Sequence, residues 1–442
     1  MTKTRRRNGQ TNMAVPEDEE SLLPSSHSYP AGVYNETLVR LRSGAHNLTG
    51  PYAFLGDYDY DLGTEELTLM GEQELIHSGI DFFTRYEALA TADTPFIRAG
   101  DQNRVVESAR KWAEGFHKAK VASGAIKNLD YPYGIIEISE AEGMNNTLNH
   151  GLCAAFEANK TGLAAQAEFG ATFLPEISAR LKRDIGTSDL TDTDTLSLMD
   201  LCPYTVVAET SFSSSSIRGV KRSISGANPQ ANPFCALFNL PEWESYDYYQ
   251  SLGKYYGYGA GSDLGPTQGV GFVNELIARL TSKSVQDSTS VNHTLDSNPK
   301  MFPLGKSLYA DFSHDNDMTA VFFALGLFEG MPQLRKDRIM SVEEMEGYTA
   351  SRTVPFGGRM VVEKMTCEGE KEEMIRVIMN GKVMPLVSCS GDEFGRCGLG
   401  AFVESLGFAK GGGRWDDCFT ESVRTTTIRK PGLDETALAS AL

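Results

Sequence analysis

The chain has 442 residues and a formal net charge of −18. That balance argues against nucleic acid as a partner, and it means that any anionic ligand must be held by a local basic cluster against the field of the whole protein. With 40% hydrophobic and 23% charged residues, the composition is that of a globular protein with one large domain and an insertion, or with two domains. The longest apolar run, 320–328, is far shorter than the roughly 20 residues a membrane-spanning helix needs, so no membrane partner is expected.

Residues 1–23 are basic, then acidic, with almost nothing apolar, and disorder is expected there. Between 68 and 90, Leu75, Phe82, Tyr86 and Leu89, with Ile76, Ile80 and Phe83 beside them, predict a broad-faced amphipathic helix. Residues 95–97 read as a short strand ending at Arg98, and Arg104 opens a helix running through Trp112 and Phe116. The stretch 129–285 has a different texture. Helical segments at 164–182, 193–201, 242–256 and 267–281 are separated by Ser/Gly/Asn-rich loops such as 212–233. This predicts an α/β fold with a mixed sheet, its body formed by 24–128 and 286–420, and an α-helical domain inserted at 129–285. A strand at 308–312 leads through Ser313-His314-Asp315 into a helix at 318–328. Strand-like segments follow at 359–366 and 374–379, and Asn380-Gly381 signals a hairpin before 382–387. The tail 421–442 is polar and aperiodic, and is expected to be disordered.

The junction at His314 carries the most chemistry. Ser313-His314-Asp315 fails as a serine-hydrolase triad, because consecutive residues leaving a strand diverge whereas triad members converge from distant positions. No Gly-X-Ser-X-Gly turn surrounds Ser313. An imidazole and a carboxyl beside a helix N-terminus suit a phosphate and a proton donor to a leaving oxygen. Equally well on local grounds, Asp315 or Asn316 caps the helix that follows.

Seven cysteines occur, at 153, 202, 235, 367, 389, 397 and 418, none with zinc-site spacing. Cys389 and Cys397 enclose a short Gly-rich loop that suits a local disulfide. Sequons at Asn35, Asn47, Asn145, Asn159 and Asn292, taken with the cysteines, predict a secretory route and an extracellular, glycosylated protein. The first residues, Met1-Thr-Lys-Thr-Arg-Arg-Arg7, lead into no apolar core and read as no signal peptide. A secretory body with an odd thiol and no signal creates the expectation that this sequence starts in the wrong place.

Over residues 25–419 the chain resembles fungal phytases of the histidine acid phosphatase family. The segments that carry the resemblance are Gly71-Glu-Gln-Glu-Leu75, Tyr255-Tyr-Gly-Tyr-Gly259, Leu264-Gly-Pro-Thr-Gln-Gly-Val-Gly271, Asn274-Glu-Leu-Ile-Ala-Arg-Leu280 and Asp311-Phe-Ser-His-Asp-Asn316. The resemblance implies a cleft between an α/β domain and a smaller helical one, a phosphohistidine intermediate, and neither metal nor other cofactor. It implies that His314 and Arg104 bind phosphoryl oxygens and that Asp315 protonates the departing alkoxide. Lys254 would hold outer phosphates, and Asn316 would touch substrate or cap. The implied ligand is a small organic phosphate such as inositol hexakisphosphate, and a monomer is expected. The implied disulfides are Cys153–Cys418, Cys202–Cys235 and Cys389–Cys397, leaving Cys367 over.

One departure matters. The family signature Arg-His-Gly-X-Arg-X-Pro supplies the nucleophilic histidine and two arginines, and is expected just upstream of Tyr34-Asn-Glu-Thr-Leu-Val39. That stretch reads Asp18-Glu-Glu-Ser-Leu-Leu-Pro24, and Arg-His-Gly occurs nowhere in the chain. A missing N-terminal segment is the expected explanation, because it accounts together for the nucleophile, the orphan Cys367 and the signal. A non-catalytic homologue that binds organic phosphates is the runner-up. A broad-specificity acid phosphatase is a third reading, favoured by the lack of lysines in Ser28-Tyr-Pro-Ala-Gly-Val33.

Overall fold

The computed structural model describes residues 31–60, 62, 66–209 and 232–419. The ends expected to be disordered, and most of the loop at 212–233, lie outside them. Among the described residues, eight helices have ten residues or more: α1 (Ala31–Gly44), α2 (Leu69–Arg85), α3 (Asn103–Ala122), α4 (Thr161–Ile185), α5 (Asp192–Glu209), α6 (Leu240–Gly257), α7 (Val270–Thr281) and α8 (Asp315–Ala324).

The face read at 68–90 belongs to α2, whose start is capped by the Thr68 hydroxyl accepting from Gly71 N at 2.9 Å. Phe83 of α2 packs with Val105, Ala109, Trp112 and Phe116 of α3. The two helices cross closely at Gly79 and Gly115. A Cβ at either would fall 2.0 Å from the Trp112 carbonyl oxygen or 1.9 Å from that of Ile76. This crossing fixes the helix whose first turn carries Arg104.

Strands β1 (Phe96–Gly100), β2 (Ile135–Ile138) and β3 (Tyr309–Phe312) form a parallel sheet in the order β2-β1-β3. A second, antiparallel sheet contains β4 (Met360–Met365), β5 (Met374–Met379), β6 (Lys382–Val383) and β7 (Arg396–Gly398). The expected hairpin turns at Asn380 and Gly381, both with positive φ. Two elements from the stretch read as a helical insertion stand with the parallel sheet instead. β2 pairs with β1, and α7 supplies charged side chains to the sheet's buried face.

Side chains alternate along β1. Ile97 and Ala99 pack into the α2/α3 cluster, while Arg98 points the other way and is fully buried. Its Nε donates to Asp311 Oδ1 of β3 at 2.8 Å, and its Nη2 donates to Glu275 Oε2 of α7 at 2.6 Å. Arg279, one turn along α7, donates to both Asp311 oxygens and lies 4.7 Å from the centre of the Tyr309 ring. Thr147 Oγ1 donates to Glu275 at 2.8 Å. Two guanidinium groups and two carboxylates therefore cancel without water, and removal of one partner leaves the others charged and buried.

The helices α1, α5 and the second half of α4 share a separate core containing Leu38, Leu41, Ile177, Leu181, Leu198 and Met199. Asp200 of α5 is buried beside this core, taking hydrogen bonds from the Tyr34 hydroxyl at 3.3 Å and from the Tyr246 hydroxyl. The three disulfides implied by the resemblance, Cys153–Cys418, Cys202–Cys235 and Cys389–Cys397, are all present. Cys367 is free, and its sulfur accepts from Arg396 Nη1 at 3.2 Å.

Two stability outcomes follow from these buried acids. Burial would raise the Asp311 carboxyl, but Arg279 and Arg98 outweigh it and hold the group far below the usual carboxylate range. Its folded value is depressed, so its contribution is full above the unfolded value near 3.9 and is lost as pH falls through the folded one. Asp311→Ala is expected to cost about 3–5 kcal/mol in urea unfolding at pH 6, with the difference shrinking below about pH 4. Asp200 behaves oppositely, because burial pushes it up to about 7 despite the Tyr246 hydrogen bond. The folded state then holds a proton that the unfolded chain releases, so stability falls between about pH 4 and pH 7 and is flat above. Asp200→Asn is expected to flatten that slope in a thermal-unfolding series across this range.

Candidate active site

Because β1, β2 and β3 run parallel, their carboxyl ends share one edge, which is where open α/β sheets take ligands. Three segments leave that edge. β1 ends at Gly100 and α3 begins at Asn103, placing Arg104 in the first turn. β3 ends at Phe312 and α8 begins at Asp315. β2 ends at Ile138, and Glu140 follows two residues later. Two helices thus direct their positive ends to adjacent strand termini.

Arg104 is only 2% exposed, yet its Nε and Nη1 have no hydrogen-bond partner among the described residues. Leaving a buried charged donor unsatisfied costs at least about 1–3 kcal/mol. Arg98 and Arg279, by contrast, are ion-paired with Asp311 and Glu275, although Arg279 Nε also has no hydrogen-bond partner among the described residues. The two Arg104 nitrogens suit an acceptor-rich anion, which the planar fork of an arginine binds in pairs.

Asp315 holds two partners at once. Its Oδ1 accepts the Asn316 backbone N–H at 2.8 Å, but the N-cap position of α8 is His314 and carries no side-chain cap, so Asp315 is not the cap that the sequence alternative held. Its Oδ2 receives Lys254 Nζ at 2.6 Å, and the same ammonium donates to Asn316 Oδ1 at 2.6 Å. Lys254 is buried and arrives from the last turn of α6. It binds the acid at the head of α8.

His314 immediately precedes α8 with an extended backbone and caps nothing with its side chain. Its Nε2 lies 3.1 Å from both oxygens of Glu140, a residue the sequence reading passed over. Glu140 reaches His314 across the end of β1. A Cβ on Gly100 would fall 1.7 Å from Glu140 Oε1, so only glycine at that strand end lets the carboxylate through. Asn149 Nδ2 donates to Glu140 Oε2 at 3.2 Å, and Glu140 N donates to Asp101 Oδ1 at 3.0 Å.

The sequons differ in their surroundings. Asn35, Asn47 and Asn159 are exposed. The Nδ2 groups of Asn145 and Asn292 instead donate to backbone carbonyls of Val291 and Asn145, and that of Asn47 donates to Asp184 O.

Comparison with known proteins places the chain in a family. The model of the histidine phosphatase superfamily (branch 2) matches residues 20–380. The chain is 47% identical over 387 residues to Phytase A of Aspergillus fumigatus, covering 88% of this chain and 80% of that one. It is 48% identical over 396 residues to Phytase A of Aspergillus oryzae, covering 88% and 82%. Among solved structures, the phytase from D. castellii superposes with a TM-score of 0.67 at 22% identity, over 88% of this chain and 77% of that one. The Bifidobacterium longum multiple inositol polyphosphate phosphatase in complex with inositol hexasulfate gives a TM-score of 0.58 at 13% identity, over 89% and 88%. These structures share its fold. Strand-end chemistry, sequence identity and family match lead to one conclusion: the chain belongs to branch 2 of the histidine phosphatase superfamily.

Proposed function

We propose that this protein is a phosphomonoester hydrolase of phytase type, acting on inositol phosphates such as inositol hexakisphosphate. The observation that carries the reading is the buried, unpartnered guanidinium of Arg104 at the sheet edge where the His314-Asp315 pair opens α8. Arg104 and His314 hold the phosphoryl oxygens, and the N-termini of α3 and α8 add partial positive charge. Asp315 gives its proton to the bridging oxygen as the oxygen–phosphorus bond breaks, so that the leaving group departs as an alcohol. Lys254 steers Asp315 and Asn316 by binding both. The family scheme adds attack by a histidine and a phosphohistidine intermediate. The Arg-His-Gly tripeptide that would supply that histidine is not in the 442 residues.

That gap favours a second reading, an organic-phosphate-binding homologue without turnover. A broad-specificity acid phosphatase would use the same residues on other esters. Three disulfides and the exposed sequons at Asn35 and Asn159 support a secreted, glycosylated protein.

Calorimetry with inositol hexakisphosphate and a phosphate-release assay at pH 5 separate these readings. The chain is expected to bind the ligand, and Arg104→Ala to weaken binding about 10- to 100-fold, as loss of charged hydrogen bonds implies. Phosphate release that stops in Asp315→Asn supports the hydrolase, whereas binding without release supports the second reading. Absence of both contradicts each.

A further inference from the structure

We infer that Glu140 is a positioning residue of this site, which acts by orienting the His314 imidazole and fixing its proton on Nε2. The inference rests on the phosphate-site reading for its purpose, but its geometry stands alone. A carboxylate can only accept, so Nε2, 3.1 Å from both Glu140 oxygens, must donate. The bond made by one nitrogen bears on the state of the other. A carboxylate at Nε2 favours the imidazolium, in which both ring nitrogens are donors, and that is the ring state able to hold a phosphoryl oxygen.

The carboxylate is built into its place. Its side chain and that of His314 are 5% and 3% exposed, so the pair forms away from bulk water, where a hydrogen bond of this kind is strong. Asn149 holds one oxygen, and Asp101, in the loop between β1 and α3, holds the Glu140 backbone. Asp101 lies three residues before Arg104, so one short loop ties Glu140 and Arg104 to the end of the same strand. On the opposite side, Ser313 Oγ donates to Leu148 O at 2.6 Å, linking the residue before His314 to the segment that carries Asn149. Gly100 supplies the remaining condition, since any side chain there meets the Glu140 carboxylate. This glycine and this acid form one device for aiming a histidine.

The test uses the full chain with nitrogen-15 histidine labelling. In the parent protein the His314 ring signals should report a proton on Nε2. Glu140→Ala should abolish that preference and weaken inositol hexakisphosphate binding about tenfold, while Glu140→Gln, whose amide oxygen still accepts, should stay within about threefold of the parent. Gly100→Ala should reproduce the Glu140→Ala ring signals by displacing the carboxylate without deleting it. Unchanged His314 signals in both Glu140→Ala and Gly100→Ala, or tighter ligand binding by Glu140→Ala, would overturn the inference. Should the parent protein bind no inositol hexakisphosphate, the phosphate-site reading fails, and the ring signals still decide the role of Glu140.

Discussion

The buried ion pair between Arg98 and Asp311 is the constraint on which the rest depends. These residues face one another across β1 and β3, and their register sets how far each strand runs before its helix begins. A one-residue slip of either strand would turn its charge to the apolar α3 face and leave the other unpaired, so the register is strongly specified. Glu275 and Arg279 extend the specification to α7, which approaches the sheet because those two charges need its partners. Arg104 and the His314-Asp315 pair start their helices at the same edge for this reason.

Charge is distributed over the site on a simple plan. Arg98, Arg279 and Lys254 each have a carboxylate within bonding distance, and they hold structure together. Arg104 has Nε and Nη1 unmatched, in a chain whose formal charge is −18. A strongly negative protein repels anions at long range, and short-range capture therefore falls to dehydrated donors and helix ends. Burial strengthens each bond that those two Arg104 nitrogens make with an acceptor.

Much of this was legible in the sequence, for reasons of periodicity. The face of α2, the start of α3 at Arg104, the strand ending before His314 and the Asn380-Gly381 hairpin are local patterns, and local patterns survive without coordinates. What escaped was non-local. Ile135-Ile-Glu-Ile138 is too short and too irregular to declare itself a strand, and only pairing with β1 makes it one. Glu275 and Arg279 lie within a segment that carried the family resemblance, but nothing in that segment says they meet Arg98 and Asp311. A charged residue in the middle of an apolar strand, as at Arg98, was the available clue that a buried partner existed. Glu140 offered a weaker one: it follows a strand by two residues, as Asp315 follows β3 by three. Lys254 was found by resemblance, yet its grip on Asp315 and Asn316 required the two helices to be seen together.

The central claim is that Arg104 seats an anion at the shared end of β1 and β3. A crystal structure of the 442-residue chain soaked with orthovanadate tests it most directly. The expected result is an oxyanion within hydrogen-bond distance of Arg104 Nε and Nη1, beyond Gly100 and Phe312. Finding Arg104 satisfied by a carboxylate of the protein itself, with no oxyanion at that edge, would contradict it.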